Sequence, residues 1–202
     1  TKQLIDLKDE VYISLNKLSF FRARNFHIKL FKQYFKFEKI DETEFDEIWA
    51  ISLSESGLNH LKQEIKKPIK TFVWNLAKDE NLEKYNALLK ANKPNITWLI
   101  NCAGFGKFGR YDQIPVNDLT NMINVNCGAL VKMTQLSIPY MNKGGRIVQI
   151  ASVAAFQPIP YIAVYGATKA FVLSYSRALN QELKSRKIYY DNNILPLFDW
   201  FF

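Results

Sequence analysis

At 202 residues and 23.5 kDa, with 48% apolar and 23% charged residues, the chain can bury one core but is too short for two ordinary domains. Two cysteines, Cys102 and Cys127, and two histidines, His27 and His60, exclude a disulfide framework and show no metal-ligand spacing, so no metal is expected. The net charge of +8 is uneven, with nine Lys/Arg against four Asp/Glu in residues 1–40; without a nucleic-acid-binding signature it reads as a solvated basic face.

In chain order, a weak strand is expected over Leu15 to Phe21. An amphipathic helix follows over 26–38, where Phe26, Leu30, Tyr34 and Phe37 recur at helical spacing beside Phe31 and Phe35. Next come four short apolar runs: Ile48 to Ile51, Thr71 to Trp74, Thr97 to Ile100 and Arg146 to Ile150. They read as strands apolar on both faces, the mark of a buried parallel sheet. Helices are expected between them at 55–66, 79–91 and 116–142, and after them at 161–186. In that last helix Val164, Ala167, Phe171, Tyr175 and Ala178 form an apolar stripe. The final stretch from Lys187 starts as a strand and stops. Alternating strands and helices imply one α/β domain over residues 1–202, a Rossmann-like doubly wound parallel sheet in three α/β/α layers with an incomplete C-terminal part. No apolar run reaches the ~18 residues of a bilayer span and no signal peptide is visible, so a reduced, cytoplasmic protein is expected, with no membrane or nucleic-acid partner. The missing initiator methionine points to a fragment.

Ligands of open parallel sheets sit at the carboxyl ends of the strands. Ser152 occupies such a position, as do Asn101, Cys102, Ala103 and Gly104. Thirteen residues after Ser152 stands Tyr165, and Lys169 follows at i+4 on the same helical side. Of the 10 tyrosines this one alone has a lysine at that step, which lifts the pair above coincidence. A phenol titrates near ~10, so it serves as an acid or base at neutral pH only with help, which a neighbouring ammonium provides.

In order and spacing, Asn101-Cys102-Ala103-Gly104, Asn126, Ser152 and the Tyr165/Lys169 pair resemble the short-chain dehydrogenase/reductase family, over about 70% of the chain from Asp46 to Lys187. The resemblance implies an oxidoreductase that moves hydride between NAD or NADP and a carbonyl or secondary alcohol. Tyr165 would be the acid/base, Lys169 its activator and a ribose ligand, and Ser152 the group that polarises the substrate oxygen. Asn126 would hold a water linking Lys169 to solvent. Asn75, Asn101, Ala103 and Gly104, with Tyr165 and Lys169, would bind the cofactor. Helices 116–142 and 161–186 would form a homo-oligomer interface. Leu53, where many NADP-preferring relatives carry Arg, removes one reason for NADP and adds none for NAD.

Two departures from the family pattern support a different expectation. The family's glycine-rich pyrophosphate turn should fall at about 20–27, and its three glycine positions would be Phe21, Asn25 and His27. The C-terminal Pro-Gly, lid and last strand are missing after Pro196. Damaged ends from truncation or a frame shift would explain both, as would a pseudoenzyme that acts only by protein interaction.

Overall fold

A computed structural model describes residues 10–14, 46–65 and 67–195. Six parallel strands form one sheet in the order β3-β2-β1-β4-β5-β6. In sequence these are β1 (Glu10–Ser14), β2 (Glu47–Ser52), β3 (Ile69–Val73), β4 (Ile96–Asn101), β5 (Met141–Ser152) and β6 (Tyr189–Leu195). The order reverses between β1 and β4, and right-handed crossovers to either side of that point demand helices on both faces. The expected doubly wound α/β fold is therefore the one observed.

Among the described residues five α-helices connect the strands: α1 (Glu55–Glu64), α2 (Asp79–Asn92), α3 (Val116–Ile123), α4 (Leu130–Ser137) and α5 (Ala163–Glu182). Local chemistry sets their limits. Ser54 caps α1, its Oγ accepting from Gly57 N at 3.1 Å, with Glu55 in the positive first turn. Lys93 ends α2 in the left-handed region, φ 45°, donating back to Leu89 O. The main core joins Trp49, Leu99 and Ile147 of the sheet to Tyr85 of α2, Met133 of α4 and Leu179 of α5. At its centre the Tyr85 hydroxyl lies 2.7 Å from Ser137 Oγ, so even this buried phenol is satisfied.

Several expectations need correction. A strand is described at Glu10–Ser14, while the expected strand over Leu15 to Phe21 lies outside the described residues. The expected helix at 26–38 and turn at 20–27 lie outside the described residues. β3 is not buried on both faces: it is an edge strand, so Lys70 and Val73 are exposed. The expected helix 116–142 is broken three ways, by a π-turn over Asn124–Ala129, a 3₁₀ turn at Ile138–Tyr140 and the start of β5 at Met141.

The largest reversal concerns α5. Its apolar stripe faces outward, with Ala167, Phe171 and Ala178 exposed and Val164 and Tyr175 half-buried. The buried face carries Tyr165, Thr168, Lys169 and Ser176 beside Val172, Leu173 and Leu179. Hydropathy alone would never choose a face holding a lysine and two hydroxyls. They are tolerated because each finds a partner: Thr168 Oγ1 donates to Tyr165 O at 2.7 Å, Ser176 Oγ to Val172 O at 2.7 Å and Lys169 Nζ to Ile150 O at 2.6 Å.

Candidate active site

The carboxyl ends of β4 and β5 and the inward face of α5 converge beside the point where strand order reverses. Asn101 ends β4 in register with Ser14 of β1 and Gln149 of β5. Its Nδ2 donates to Thr134 Oγ1 at 3.0 Å, while its buried Oδ1 has no hydrogen-bond partner among the described residues. Ser152 ends β5, fully buried, where its Oγ accepts from Ala154 N at 3.2 Å and starts a 3₁₀ turn. That turn leads the chain to the start of α5 and so to Tyr165.

Tyr165 and Lys169 are both buried, and the Lys169 ammonium lies 5.8 Å from the Tyr165 ring centroid. Burial pushes the Tyr165 phenol above its ordinary value, and the neighbouring Ser152 hydroxyl pulls it partly back. Burial also lowers Lys169 to about 8, opposed by the nearby Cys102 and Cys127 thiols. At neutral pH Tyr165 is thus held as a phenol and Lys169 as a cation. Chemically that is a proton donor beside a positive charge, with the Ser152 hydroxyl nearby.

Asn126 reaches the same place from the π-turn. Its Oδ1 accepts from Phe105 N at 2.9 Å, while its Nδ2 donates to Phe105 O at 2.9 Å and to Thr168 Oγ1 at 3.0 Å. Side-chain capacity is thereby committed to fixing the loop after β4 against α5. The π-turn, a local widening of the helix common at functional sites, swings the amide to that loop.

Glycines make the closeness feasible. A Cβ on Gly104 would lie 3.0 Å from Asn126 Oδ1, and one on Gly106 only 2.9 Å from Tyr165 Cδ2. Gly106 therefore seats the Tyr165 ring against backbone. The sequence reading passes over it, although a second glycine two residues past Gly104 is its signal. Ala103 packs against both the main core and a second cluster of Phe105, Met122, Ile162 and Tyr165. Cys102, between Asn101 and Ala103, is a buried thiol raised to about 12 by burial.

Six of the eight expected site residues, Asn101, Ala103, Gly104, Ser152, Tyr165 and Lys169, are thus on or beside these two strand ends, and Asn126 is bonded to the same loop. Asn75 stands apart, beyond the end of edge strand β3. Its Oδ1 accepts from Ala77 N at 3.0 Å and its carbonyl from Asn81 Nδ2 at 3.0 Å, so it shapes the turn into α2. Ala77 of that turn packs on the Tyr165 cluster. Among the described residues no three His, Cys, Asp or Glu side chains gather as a metal would require, and no helix is long and apolar enough to cross a membrane.

Residues 39–197 match the family model for short chain dehydrogenase. A curated relative, the very-long-chain 3-oxoacyl-CoA reductase of Macaca fascicularis, is 33% identical over 156 residues, which cover 73% of this chain and 50% of that protein. The chain spans about half the length of such relatives. Among solved structures, a short-chain dehydrogenase/reductase (glucose/ribitol dehydrogenase) from Brucella melitensis superposes with a TM-score of 0.73 at 21% identity, covering 94% of this chain and 78% of that one. A 4-hydroxyisoleucine dehydrogenase complexed with NADH and succinate superposes with a TM-score of 0.70 at 18% identity, covering 92% and 79%.

Proposed function

The chain belongs to the short-chain dehydrogenase family, and from that premise we propose that it is an NAD- or NADP-dependent carbonyl reductase built as a single domain. Its relatives are oxidoreductases by name. The observation that carries the reading is Tyr165, held as a phenol by burial, beside the buried Ser152 hydroxyl and one helical turn from the Lys169 cation.

The residues present fit the nicotinamide end of such a cofactor. The buried, unpartnered Oδ1 of Asn101 and the Cβ-free backbone at Gly104 leave an acceptor and close-approach room beside Lys169. Asn101, Ala103, Gly104, Tyr165 and Lys169 would hold the ribose and nicotinamide, and Asn75 would stand toward the adenine. When bound, the cofactor supplies hydride to the carbonyl carbon. Ser152 orients the substrate oxygen by hydrogen bonding. As charge builds on that oxygen, Tyr165 Oη gives it a proton, and the Lys169 charge stabilises the phenolate left behind. With its side chain committed, Asn126 would hold a relay water through its backbone carbonyl, which lies in the π-turn.

The exposed stripe of α5, where Phe171 stacks on Tyr175 at 5.9 Å, supports a homo-oligomer through α3, α4 and α5. Free thiols at Cys102 and Cys127 accord with a cytoplasmic place.

Thermal stability with and without nucleotide tests the reading. NADH or NADPH at about a hundred times Kd should stabilise the chain by about 2.7 kcal/mol. Tyr165→Phe should keep that shift and lose carbonyl reduction. A chain that neither nucleotide stabilises is not this enzyme. The second reading, an interaction module without cofactor, is favoured by one observation: β1 ends at Ser14 and no glycine occurs in the sequence before Gly57, where a pyrophosphate turn would need several. The same measurement separates the two.

A further inference from the structure

A cavity of about 460 Å³ opens against Tyr165, between the loop after β4, α3 and the start of α5. Its apolar wall comes from Ile114, Leu119, Met122 and Ile162. Two loops that enclose it are tied together: Gly109 N donates to Tyr161 O at 2.9 Å, and the Phe108 and Tyr161 rings pack at 5.5 Å. Tyr161 holds the left-handed backbone conformation, φ 68°, costly for a bulky residue and retained here with that tie.

Two cations border the cavity, and each is already neutralised. Lys107 pairs with Asp118 at 2.9 Å, and Arg110 makes a two-pronged contact with Asp112 at 2.9 and 2.6 Å. These pairs are part-exposed and individually weak, but an anionic ligand gains either charge only in competition with a carboxylate, whereas an uncharged apolar group leaves both pairs intact. Resting on the carbonyl-reductase reading, we infer that this cavity receives the uncharged apolar substituent of the substrate, so that the chain favours neutral aryl or alkyl ketones over keto acids. Lys107 and Asp118 act as the specificity pair, since Asp118 competes with a substrate carboxylate for the Lys107 charge.

Acetophenone and phenylglyoxylate share a phenyl ketone and differ by a charge. Calorimetric titration of the full chain with each, without and with NADPH, is the test. Acetophenone should bind at least about tenfold more tightly. Leu119→Trp, which fills the cavity, should abolish acetophenone binding and leave the nucleotide-induced thermal shift in place. Asp118→Asn, which frees Lys107, should improve phenylglyoxylate by about threefold and leave acetophenone unchanged. Equal or tighter phenylglyoxylate binding by the native chain overturns the inference, as does acetophenone binding that survives Leu119→Trp. The two readings fail separately: if acetophenone binds in the cavity without any nucleotide shift, the reductase falls and the neutral pocket stands, while a nucleotide shift with no acetophenone binding removes the pocket alone.

Discussion

Asn126 binds both backbone polar atoms of Phe105, accepting from its N–H and donating to its carbonyl, each at 2.9 Å. The amide acts as a one-residue strand for a loop that has no ladder of its own. Asn126→Ala would strand both groups in a buried position, so a loss of about 2 to 3 kcal/mol is expected in urea unfolding. An unchanged midpoint would show that the loop stands without it.

Gly106 offers a sharper probe of the site than of the fold. Its φ lies outside the left-handed region, so alanine is permitted by the backbone but places a Cβ 2.9 Å from the Tyr165 ring. Gly106→Ala should shift the ultraviolet phenol titration of Tyr165 and lower the carbonyl-reduction kcat by about tenfold through misplacement, with little effect on nucleotide-induced stabilisation. A native titration curve and native kcat would mean that the ring yields at no cost.

Burial of Lys169 opposes folding. Its pKa is near 8 in the folded chain against 10.5 for an unperturbed lysine, so below about pH 8 both states carry the proton and the full penalty is present. Between about 8 and 10.5 the unfolded state binds more protons, and stability rises with pH. Lys169→Met should therefore be more stable than the native chain at pH 7 by up to about 3 kcal/mol, with the gap closing toward pH 10. Thermal melts of the two proteins across that range check it, and parallel curves would refute it.

The same titration sets a limit on the chemistry. The proposed reduction uses the Tyr165 proton and the Lys169 charge together, and the latter is lost as pH rises through about 8. The kcat for carbonyl reduction should fall above that pH in the native chain. A profile flat to pH 10 would put Lys169 outside the mechanism.

Phe171 is 43% exposed and stacks on Tyr175 in the outward stripe of α5. If a second copy covers it, Phe171→Glu should weaken self-association at least about tenfold in sedimentation analysis. An unaltered distribution would place the interface elsewhere.

Much of the molecule was legible because its signals are local. The runs at Ile48 and Thr97 are β-branched, aromatic and uninterrupted, which only a strand covered on both faces needs. Ser152, Tyr165 and Lys169 keep a spacing that one strand end and one helical turn dictate. What misled were features decided by partners far away in sequence. Whether Thr71 to Trp74 is central or at the edge depends on which strands flank it. The inward face of α5 is polar because Thr168, Lys169 and Ser176 find acceptors in their own helix and in β5, which no periodicity records. Gly106 escaped notice since its reason for being glycine is the ring of Tyr165, fifty-nine residues on.

The π-turn over Asn124–Ala129 has a consequence for how the chain tolerates change in length. A π-turn accommodates one residue more than an α-turn and absorbs it on the spot, so Met122 before it and Leu130 and Met133 after it keep their buried faces. Deleting one residue there would leave both flanking helices seated as they are and simply straighten the rod between them. The amide of Asn126 would then no longer reach the Phe105 loop. This is a place where a single codon separates a chain that folds from a chain with an assembled site.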